Sequence, residues 1–250
     1  MFELSSISKR YGTTEVVRAI DLAVEPGKTT VLIGPSGCGK STLLRLMIGL
    51  IRPDAGQVRF ESETLTPGNA MLLRRKMGYV IQDGGLFPHL TARGNAALVA
   101  RYLGWDVGRI GARLHELVQL TRFPADGLDR YPAQLSGGQR QRISLMRALM
   151  LDPDVLLMDE PLGALDPMIR SNLQVELRTI YRTLAKTVVM VTHDLGEAGY
   201  FADTIVLMRE GRIVQVGSFR DLLDSPADAF VTEFVNAQRS PLGTSQGAAQ

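Results

Sequence analysis

The alternation of hydrophobic and polar positions predicts two β-rich runs at the start of the chain, "FELSSISKRYG" and "VVRAIDLAVEPG", each bounded by glycine or proline. Short apolar runs typical of buried strands follow at "TTVLIG", "KMGYVIQD", "DVLLMD" and "TVVMVTH". Period-two alternation returns at "GQVRFESETL", and "TIVLMREGRIVQVG" predicts a hairpin that turns at Glu210 and Gly211.

Helical periodicity fills the segments between these strands. It begins with "STLLRLMIGL" and continues from Pro88 to Met150 as "ARGNAALVARYLGW", then "DVGRIGARLHELVQL" behind a possible Asp106 cap, then a helix behind Ser136. Two later helices are predicted at "PMIRSNLQVELRTIYRTLAK" and "FRDLLDSPADAFVTEFVNAQ". Strands that alternate with helices predict an α/β fold with a mainly parallel sheet.

The order of these patterns predicts one domain over residues 1–240. Its core consists of 1–87, with an N-terminal antiparallel β-subdomain, and 151–217. Residues 88–150 are expected to form an inserted α-helical subdomain and 218–238 a C-terminal helical segment. The tail, 239–250, is small and polar, and we expect it to be mobile.

Composition narrows the class of protein. The 250 residues are 45% hydrophobic and carry a net charge of +2, which is too small to indicate nucleic acid as a partner. One cysteine excludes an intrachain disulfide framework. No apolar run approaches the roughly 18 residues of a membrane span. We therefore expect a cytoplasmic protein, and composition says nothing about docking on a membrane protein.

The run from Gly34 to Ser41 matches G-x-x-x-x-G-K-[ST] and lies between a predicted strand and a predicted helix. Glycines at 37 and 39 allow the backbone N–H groups to turn inward around phosphate oxygens. Lys40 is placed to bridge the outer phosphates, and the Ser41 hydroxyl is placed to bind Mg²⁺. The alternative is an accidental glycine-rich turn; the eight positions and their context favour a nucleotide site.

Two adjacent carboxylates end the buried strand "VLLMDE". Asp159 is placed to hold Mg²⁺, and Glu160 to polarise an attacking water at the carboxyl edge of the sheet. The alternative is a pair of solvated acids. The phosphate loop earlier in the chain favours the catalytic interpretation.

A second anion-binding feature occurs at "LSGGQRQR", residues 135–142. Ser136 is a plausible N-cap, and the two glycines leave the first N–H groups of a helix uncovered. The alternative is an ordinary capped helix, which explains the same residues only in part.

Together these motifs resemble the nucleotide-binding subunits of ATP-binding-cassette (ABC) transporters. The resemblance runs from Tyr11 to about Gly217 and includes the phosphate loop, Gln82, "LSGGQ", "VLLMDE", "GALD" at 163–166 and "TH" at 192–193. It implies a P-loop ATPase fold, ATP and Mg²⁺ as ligands, and a head-to-tail pair of subunits, expected to be a homodimer. It also implies transmembrane permease subunits, an indirect link to a substrate-binding protein, and a location on the inner face of the membrane.

The resemblance assigns roles to individual residues. The ATP-binding set is Tyr11, Gly34, Pro35, Ser36, Gly37, Cys38, Gly39, Lys40, Ser41 and Thr42. The signature set, expected to bind the γ-phosphate of the partner's ATP, is Ser136, Gly137, Gly138 and Gln139. The catalytic set is Glu160, His193 and Gln82, the metal set is Ser41, Gln82 and Asp159, and Asp166 belongs to a loop that crosses the dimer interface.

Three of these assignments have ordinary structural alternatives. A tyrosine such as Tyr11 at a strand end more often packs, Gln82 alone would be a turn residue, and Asp166 before Pro167 is equally a good N-cap. His89 and His115 lack a comparable context and are expected at the surface.

The segment "GYVIQDGGLFPHLT" is similar to bacterial importers, in which "LFPHLT" lines the groove for a helix of the membrane subunit. It most resembles the osmoprotectant branch, which carries glycine betaine, choline, carnitine or proline. The alternatives are an importer of amino acids or other small polar solutes, and a non-transport ABC ATPase. The usual serine of "SALD" is Gly163 here, and we expect no regulation through an extra C-terminal domain.

Overall fold

The computed structural model of the chain describes residues 1–82, 84–163 and 166–239. Its strands are β1 (Phe2–Tyr11), β2 (Thr14–Val24), β3 (Thr29–Ile33), β4 (Ala55–Phe60), β5 (Glu63–Thr64), β6 (Met77–Val80), β7 (Val155–Asp159), β8 (Thr187–Val191), β9 (Thr204–Arg209) and β10 (Arg212–Gly217). Its helices are α1 (Lys40–Met47), α2 (Ala70–Leu73), α3 (Ala92–Ala96), α4 (Leu98–Tyr102), α5 (Val107–Leu120), α6 (Gly137–Leu149), α7 (Pro167–Leu184), α8 (Leu195–Phe201), α9 (Phe219–Asp224) and α10 (Ala229–Arg239).

The strands form two sheets. The larger has the order β10-β9-β3-β8-β7-β6, and all its neighbours are parallel except the β9–β10 hairpin. Strands β3, β7 and β8 are buried along their whole length, as expected for parallel strands covered on both faces. The smaller sheet has the order β2-β1-β4-β5 with antiparallel pairs. The predicted fold class is therefore confirmed.

The helices α3 to α6 lie in the chain between β6 and β7, where the inserted helical subdomain was predicted. Three of them begin behind side-chain caps, because Thr91 accepts from the N–H of Gly94, Asp106 from that of Arg109 and Ser136 from that of Gln139. The exact domain boundaries stay a prediction. The predicted tail lies outside the described residues except for Arg239.

Two helix predictions are wrong in detail. The final helix is two helices, α9 and α10, because Pro226 lacks an N–H group and disfavours a helical Ser225, which adopts φ −142° and ψ 60°. The segment after Thr91 divides at Ala97 into α3 and α4. The short helices α2 and α8 were not predicted.

No helix among the described residues is long and apolar enough to cross a membrane.

Candidate active site

The phosphate loop joins β3 to α1 and needs glycine at two close approaches. Gly34 has φ 149°, and a Cβ there would lie 2.1 Å from the carbonyl oxygen of Met208. Gly39 has φ 105°, and its Cβ would lie 2.5 Å from the carbonyl oxygen of Val16. These clashes, and not only the freedom of the loop, exclude any side chain at either position.

Lys40 is a buried cation inside this loop. Its Nζ donates to the carbonyl oxygens of Gly34 at 2.7 Å and Pro35 at 3.0 Å, and the residue is 5% exposed. Among the described residues no carboxylate pairs with it within 4.0 Å. A buried ammonium group satisfied by neutral carbonyls favours an anionic ligand, because burial of an unpaired charge is costly.

A pocket of about 210 Å³ opens beside the loop. Its lining consists of Val16, Ser36, Gly37, Gly39, Lys40, Ser41, Thr42 and Glu160. Six of these eight belong to the predicted ATP-binding set. Cys38, by contrast, is 4% exposed and does not line the pocket; its Sγ accepts from Lys40 Nζ at 3.7 Å.

Ser41 and Asp159 meet although 118 positions separate them in the sequence. Ser41 Oγ donates to Asp159 Oδ1 at 2.7 Å. Burial raises the pKa of Asp159, and the hydrogen bond from Ser41 partly offsets that effect. A hydroxyl and a carboxylate side by side next to a phosphate loop are the oxygen ligands that Mg²⁺ prefers, so these residues fit the metal.

Glu160 and His193 meet at the carboxyl ends of the neighbouring strands β7 and β8. His193 Nδ1 lies 3.4 Å from Glu160 Oε2, and the side chains are 55% and 23% exposed. The backbone of Glu160 has φ 45°, and its N–H donates to the carbonyl of Val191 at 3.0 Å. A non-glycine residue in this region is uncommon, and here it turns the carboxylate toward the pocket.

Gln82 follows β6, the neighbour of β7 on the other side. Val80 pairs with Met158, so Gln82 and Glu160, each two residues further on, leave the sheet at the same level. The Gln82 side chain is exposed. The structure therefore places Gln82 at the correct edge of the sheet, and its contact with a metal stays a prediction.

The loop after Gln82 is bound to the signature helix α6. The carbonyl of Gly84 accepts from Ser144 Oγ and Arg147 Nη2, both at 2.8 Å, and the carbonyl of Gly85 accepts from Arg147 Nη1 at 2.8 Å. Three hydrogen bonds therefore connect this loop to α6.

The signature residues cap α6 with a reciprocal pair of hydrogen bonds. Ser136 Oγ accepts from the N–H of Gln139 at 3.2 Å, and Gln139 Oε1 accepts from the N–H of Ser136 at 2.9 Å. Among the described residues, the lining of the phosphate-loop pocket includes none of 136–139. The helix end is thus capped as predicted, and residues 136–139 do not line the phosphate-loop pocket of their own chain.

The remaining predicted residues have clear positions. Tyr11 ends β1 with 48% of its surface exposed, so it is not a packed core residue. Asp166 occupies the N-cap position of α7, but within the described part of the chain its side chain makes no capping hydrogen bond. Residues 164 and 165 of the "GALD" loop lie outside the described residues.

Sequence reasoning missed the side chains that hold the His193 loop. Thr192 Oγ1 donates to Glu197 Oε2 at 2.6 Å and accepts from the N–H of Asp194 at 3.1 Å. Asp194 Oδ1 in turn accepts from the N–H of Glu197 at 2.9 Å. The spacing D-x-x-E at 194–197 is a helix-start signal that would have identified α8 and this cluster.

A phosphate loop between a buried strand and a helix, with acidic residues at the end of a nearby parallel strand, defines a P-loop nucleotide-binding protein. Residues 17–163 match the family model described as ABC transporter. The chain belongs to this family.

Two curated relatives carry transport names. The chain is 46% identical over 240 residues to the glycine betaine/carnitine/choline transport ATP-binding protein OpuCA of Bacillus subtilis, covering 96% of this chain and 63% of that protein. It is 45% identical over 243 residues to the glycine betaine uptake system ATP-binding protein YehX of Escherichia coli, covering 97% and 78%. The chain thus spans a little under two thirds of the length of OpuCA.

A solved structure has the same fold. The ATP-binding cassette MJ0796, a dimer in a post-hydrolysis state bound to ADP and Pi, matches with a TM-score of 0.78 and 29% identity, covering 88% of this chain and 99% of that one.

Proposed function

We propose that the chain is the ATP-hydrolysing subunit of a bacterial importer for osmoprotectants such as glycine betaine, choline, carnitine or proline. The observation that carries the hydrolytic part is the contact of His193 with Glu160 at 3.4 Å, at the edge of a pocket that also contains Lys40. The substrate class rests on the names of relatives that are 45–46% identical.

Nucleotide binding is assigned to the phosphate loop. Lys40 and the inward N–H groups of the loop bind the phosphates, and the half-exposed ring of Tyr11 offers a stacking face for adenine. Ser41 and Asp159 would hold Mg²⁺, with Gln82 as a further ligand. When bound, the metal neutralises phosphate charge.

Hydrolysis is assigned to Glu160. Its carboxylate accepts a proton from water as the water oxygen bonds to the γ-phosphorus and the bond to the bridging oxygen of ADP breaks. His193 orients this carboxylate through its Nδ1 and contacts the γ-phosphate with its other ring nitrogen. General-base catalysis of this type contributes roughly 10²–10⁴-fold.

The complete site requires a second copy of the chain. The phosphate-loop pocket lacks Ser136–Gln139 in its lining, and the capped start of α6 is a ready anion site. A two-fold pair places each α6 start on the nucleotide of the partner through one repeated interface, and Asp166 lies in the loop assigned to that interface.

Permease docking is assigned to an apolar groove between α2, β6 and α4. The groove has a volume of about 290 Å³, and its lining includes Met71, Val99 and Tyr102, which are 65%, 37% and 78% exposed. Arg147, which holds the loop after Gln82, also lines it. Among the described residues the lining does not include 86–91, so the assignment of "LFPHLT" to the groove stays a prediction.

This docking would place the chain on the inner face of the cell membrane, with a substrate-binding protein as an indirect partner. A helix of the permease in the groove would transmit movement of α6 to the membrane, because Arg147 contacts both the groove and the loop.

The test is light scattering of the Glu160→Gln protein with Mg-ATP and then with EDTA. We expect a mass near twice 27.4 kDa that returns to the monomer with EDTA. Glu233→Gln, on the exposed side of α10, is the matched control and should hydrolyse ATP at the wild-type rate. Substantial steady-state ATPase activity of the Glu160→Gln protein would contradict the assignment of the base.

The substrate class needs its own experiment. Uptake of radiolabelled glycine betaine by the source cells should be lost when Glu160→Gln replaces the wild-type gene product. Unchanged uptake of glycine betaine and choline, with lost uptake of an amino acid, would overturn the osmoprotectant assignment.

A further inference from the structure

The last described turn of the C-terminal helix α10 contacts the backbone on both sides of Asp194. Gln238 Nε2 donates to the carbonyl oxygen of His193 at 2.7 Å, and Gln238 Oε1 accepts from the N–H of Leu195 at 2.7 Å. Because one partner is a backbone donor and the other a backbone acceptor, the orientation of the amide is determined by its contacts.

Neither of these two backbone groups is paired within β8 or α8. Strand β8 ends at Val191, and Leu195 is the first residue of α8, so its N–H has no acceptor within that helix. One side chain therefore satisfies a helix-start donor and the carbonyl of the residue that contacts Glu160.

The helix that carries Gln238 is itself anchored. Val231, Phe234 and Val235 of α10 are 0%, 9% and 4% exposed and belong to the main hydrophobic core. The guanidinium of Arg209 lies 4.4 Å above the ring of Phe230. A residue on a packed helix holds its contacts more accurately than one on a loop, so Gln238 can restrain His193.

We propose that Gln238 is a positioning residue for His193. This inference rests on the proposed function, since it gives His193 a role at Glu160. The Thr192 N–H donates to the Leu32 carbonyl at 3.1 Å before His193, and the Asp194 N–H donates to Thr192 Oγ1 at 3.1 Å after it, while Gln238 bonds to the carbonyl of His193 itself. Loss of the bond from Gln238 lets the imidazole move away from Glu160 without altering the phosphate loop.

The experiment compares Gln238→Ala with Asn236→Ala, an exposed position of the same helix. We expect Gln238→Ala to lower kcat for ATP hydrolysis roughly tenfold, since two neutral hydrogen bonds are lost. KM for ATP should stay within about twofold, because nucleotide binding is unchanged. Asn236→Ala should match the wild type in both.

A measurement independent of activity is the NMR spectrum of the imidazole side chains. The chain has three histidines, His89, His115 and His193, and the His193 signal is identified by its loss in His193→Gln. In Gln238→Ala we expect the His193 signal to shift while the other two stay in place.

The variant Gln238→Glu separates positioning from packing. The introduced carboxylate keeps the acceptor for Leu195 but presents an oxygen, and no donor, to the carbonyl of His193. Protonation restores a donor, so kcat relative to the wild type should rise as the pH falls from about 8 toward the ordinary range of glutamate. If the side chain at position 238 only filled space, the kcat of Gln238→Glu relative to the wild type would be independent of pH.

The outcomes distinguish the two proposals. A wild-type protein that does not hydrolyse ATP contradicts the proposed function, and the NMR comparison still decides the role of Gln238. Wild-type kcat in Gln238→Ala together with an unmoved His193 signal would overturn the inference. If Gln238→Ala unfolds, the kcat of Gln238→Glu relative to the wild type is measured as a function of pH instead. A ratio that does not change with pH would reject the positioning role of Gln238.

Discussion

Replacement of Asn95 by alanine is expected to destabilise the loop that connects Gln82 to the helical subdomain. Asn95 is fully buried on α3. Its Oδ1 accepts from the N–H of Phe87 at 2.7 Å, and its Nδ2 donates to the carbonyls of Phe87, Leu90 and Thr91 at 3.0, 3.0 and 3.1 Å. The side-chain amide of Asn95 thus supplies hydrogen-bond partners to the backbone of residues 87–91, as a neighbouring strand does in a sheet.

The size of the destabilisation by Asn95→Ala follows from the backbone groups that lose their hydrogen-bond partner. The carbonyl of Phe87 also accepts from the N–H of Leu90, and that of Thr91 from the backbone N–H of Asn95. The groups left without a partner among the described residues are therefore the Phe87 N–H and the Leu90 carbonyl. At about 1–3 kcal/mol for each of the two unsatisfied groups, we expect the free energy of unfolding to fall by about 3 kcal/mol.

Thermal unfolding followed by circular dichroism measures this effect. For a domain of this size, about 3 kcal/mol corresponds to a Tm lower by about 6–12 °C. Asn172→Ala, on the exposed surface of α7, is the control and should leave Tm unchanged. A Tm for Asn95→Ala within about 1 °C of the wild type would refute the reasoning, because the four hydrogen bonds of this buried side chain would then contribute nothing.

Two further predictions concern stability. Burial raises the pKa of Glu197 despite its hydrogen bond from Thr192, so the wild type loses stability as the pH rises from the ordinary glutamate range toward the folded-state value. Glu197→Gln has no proton to lose, and its Tm relative to the wild type should increase between about pH 4.5 and 7.5; a constant difference would contradict this. Gly111→Ala, in α5 with nothing within 4 Å of its Cβ, should stabilise by roughly 0.5–1 kcal/mol. Gly34→Ala, with its Cβ 2.1 Å from Met208, should lower Tm strongly and abolish ATP binding; equal Tm values for these two glycine variants would be the contrary result.

Much of the site is visible in the sequence because its signals are local. The phosphate loop needs glycines, a lysine and a serine within eight consecutive positions, so the motif can be recognised without knowing what packs against it. Asp159 and Glu160 stand at a strand end that four apolar residues mark. Pro226 was an equally local signal for the division of the last helix.

The contacts that bring the residues of the candidate site together depend on tertiary structure. Ser41 meets Asp159 across 118 positions, and Gln238 meets His193 across 45. Neither contact follows from periodicity, because alternation reports which face of a strand is buried and not which strand lies beside it.

The strand order β3-β8-β7-β6 determines which strands are neighbours. It brings the ends of three strands that are far apart in the chain to one edge of the sheet, where Gln82, Glu160 and His193 leave it together. The sequence by itself therefore determined which residues are predicted to bind a nucleotide, since that prediction requires only local backbone shape and charge. The packing of the whole sheet decided that the carboxylate of Glu160 faces His193, because that arrangement depends on the burial of all the strands and helices at once.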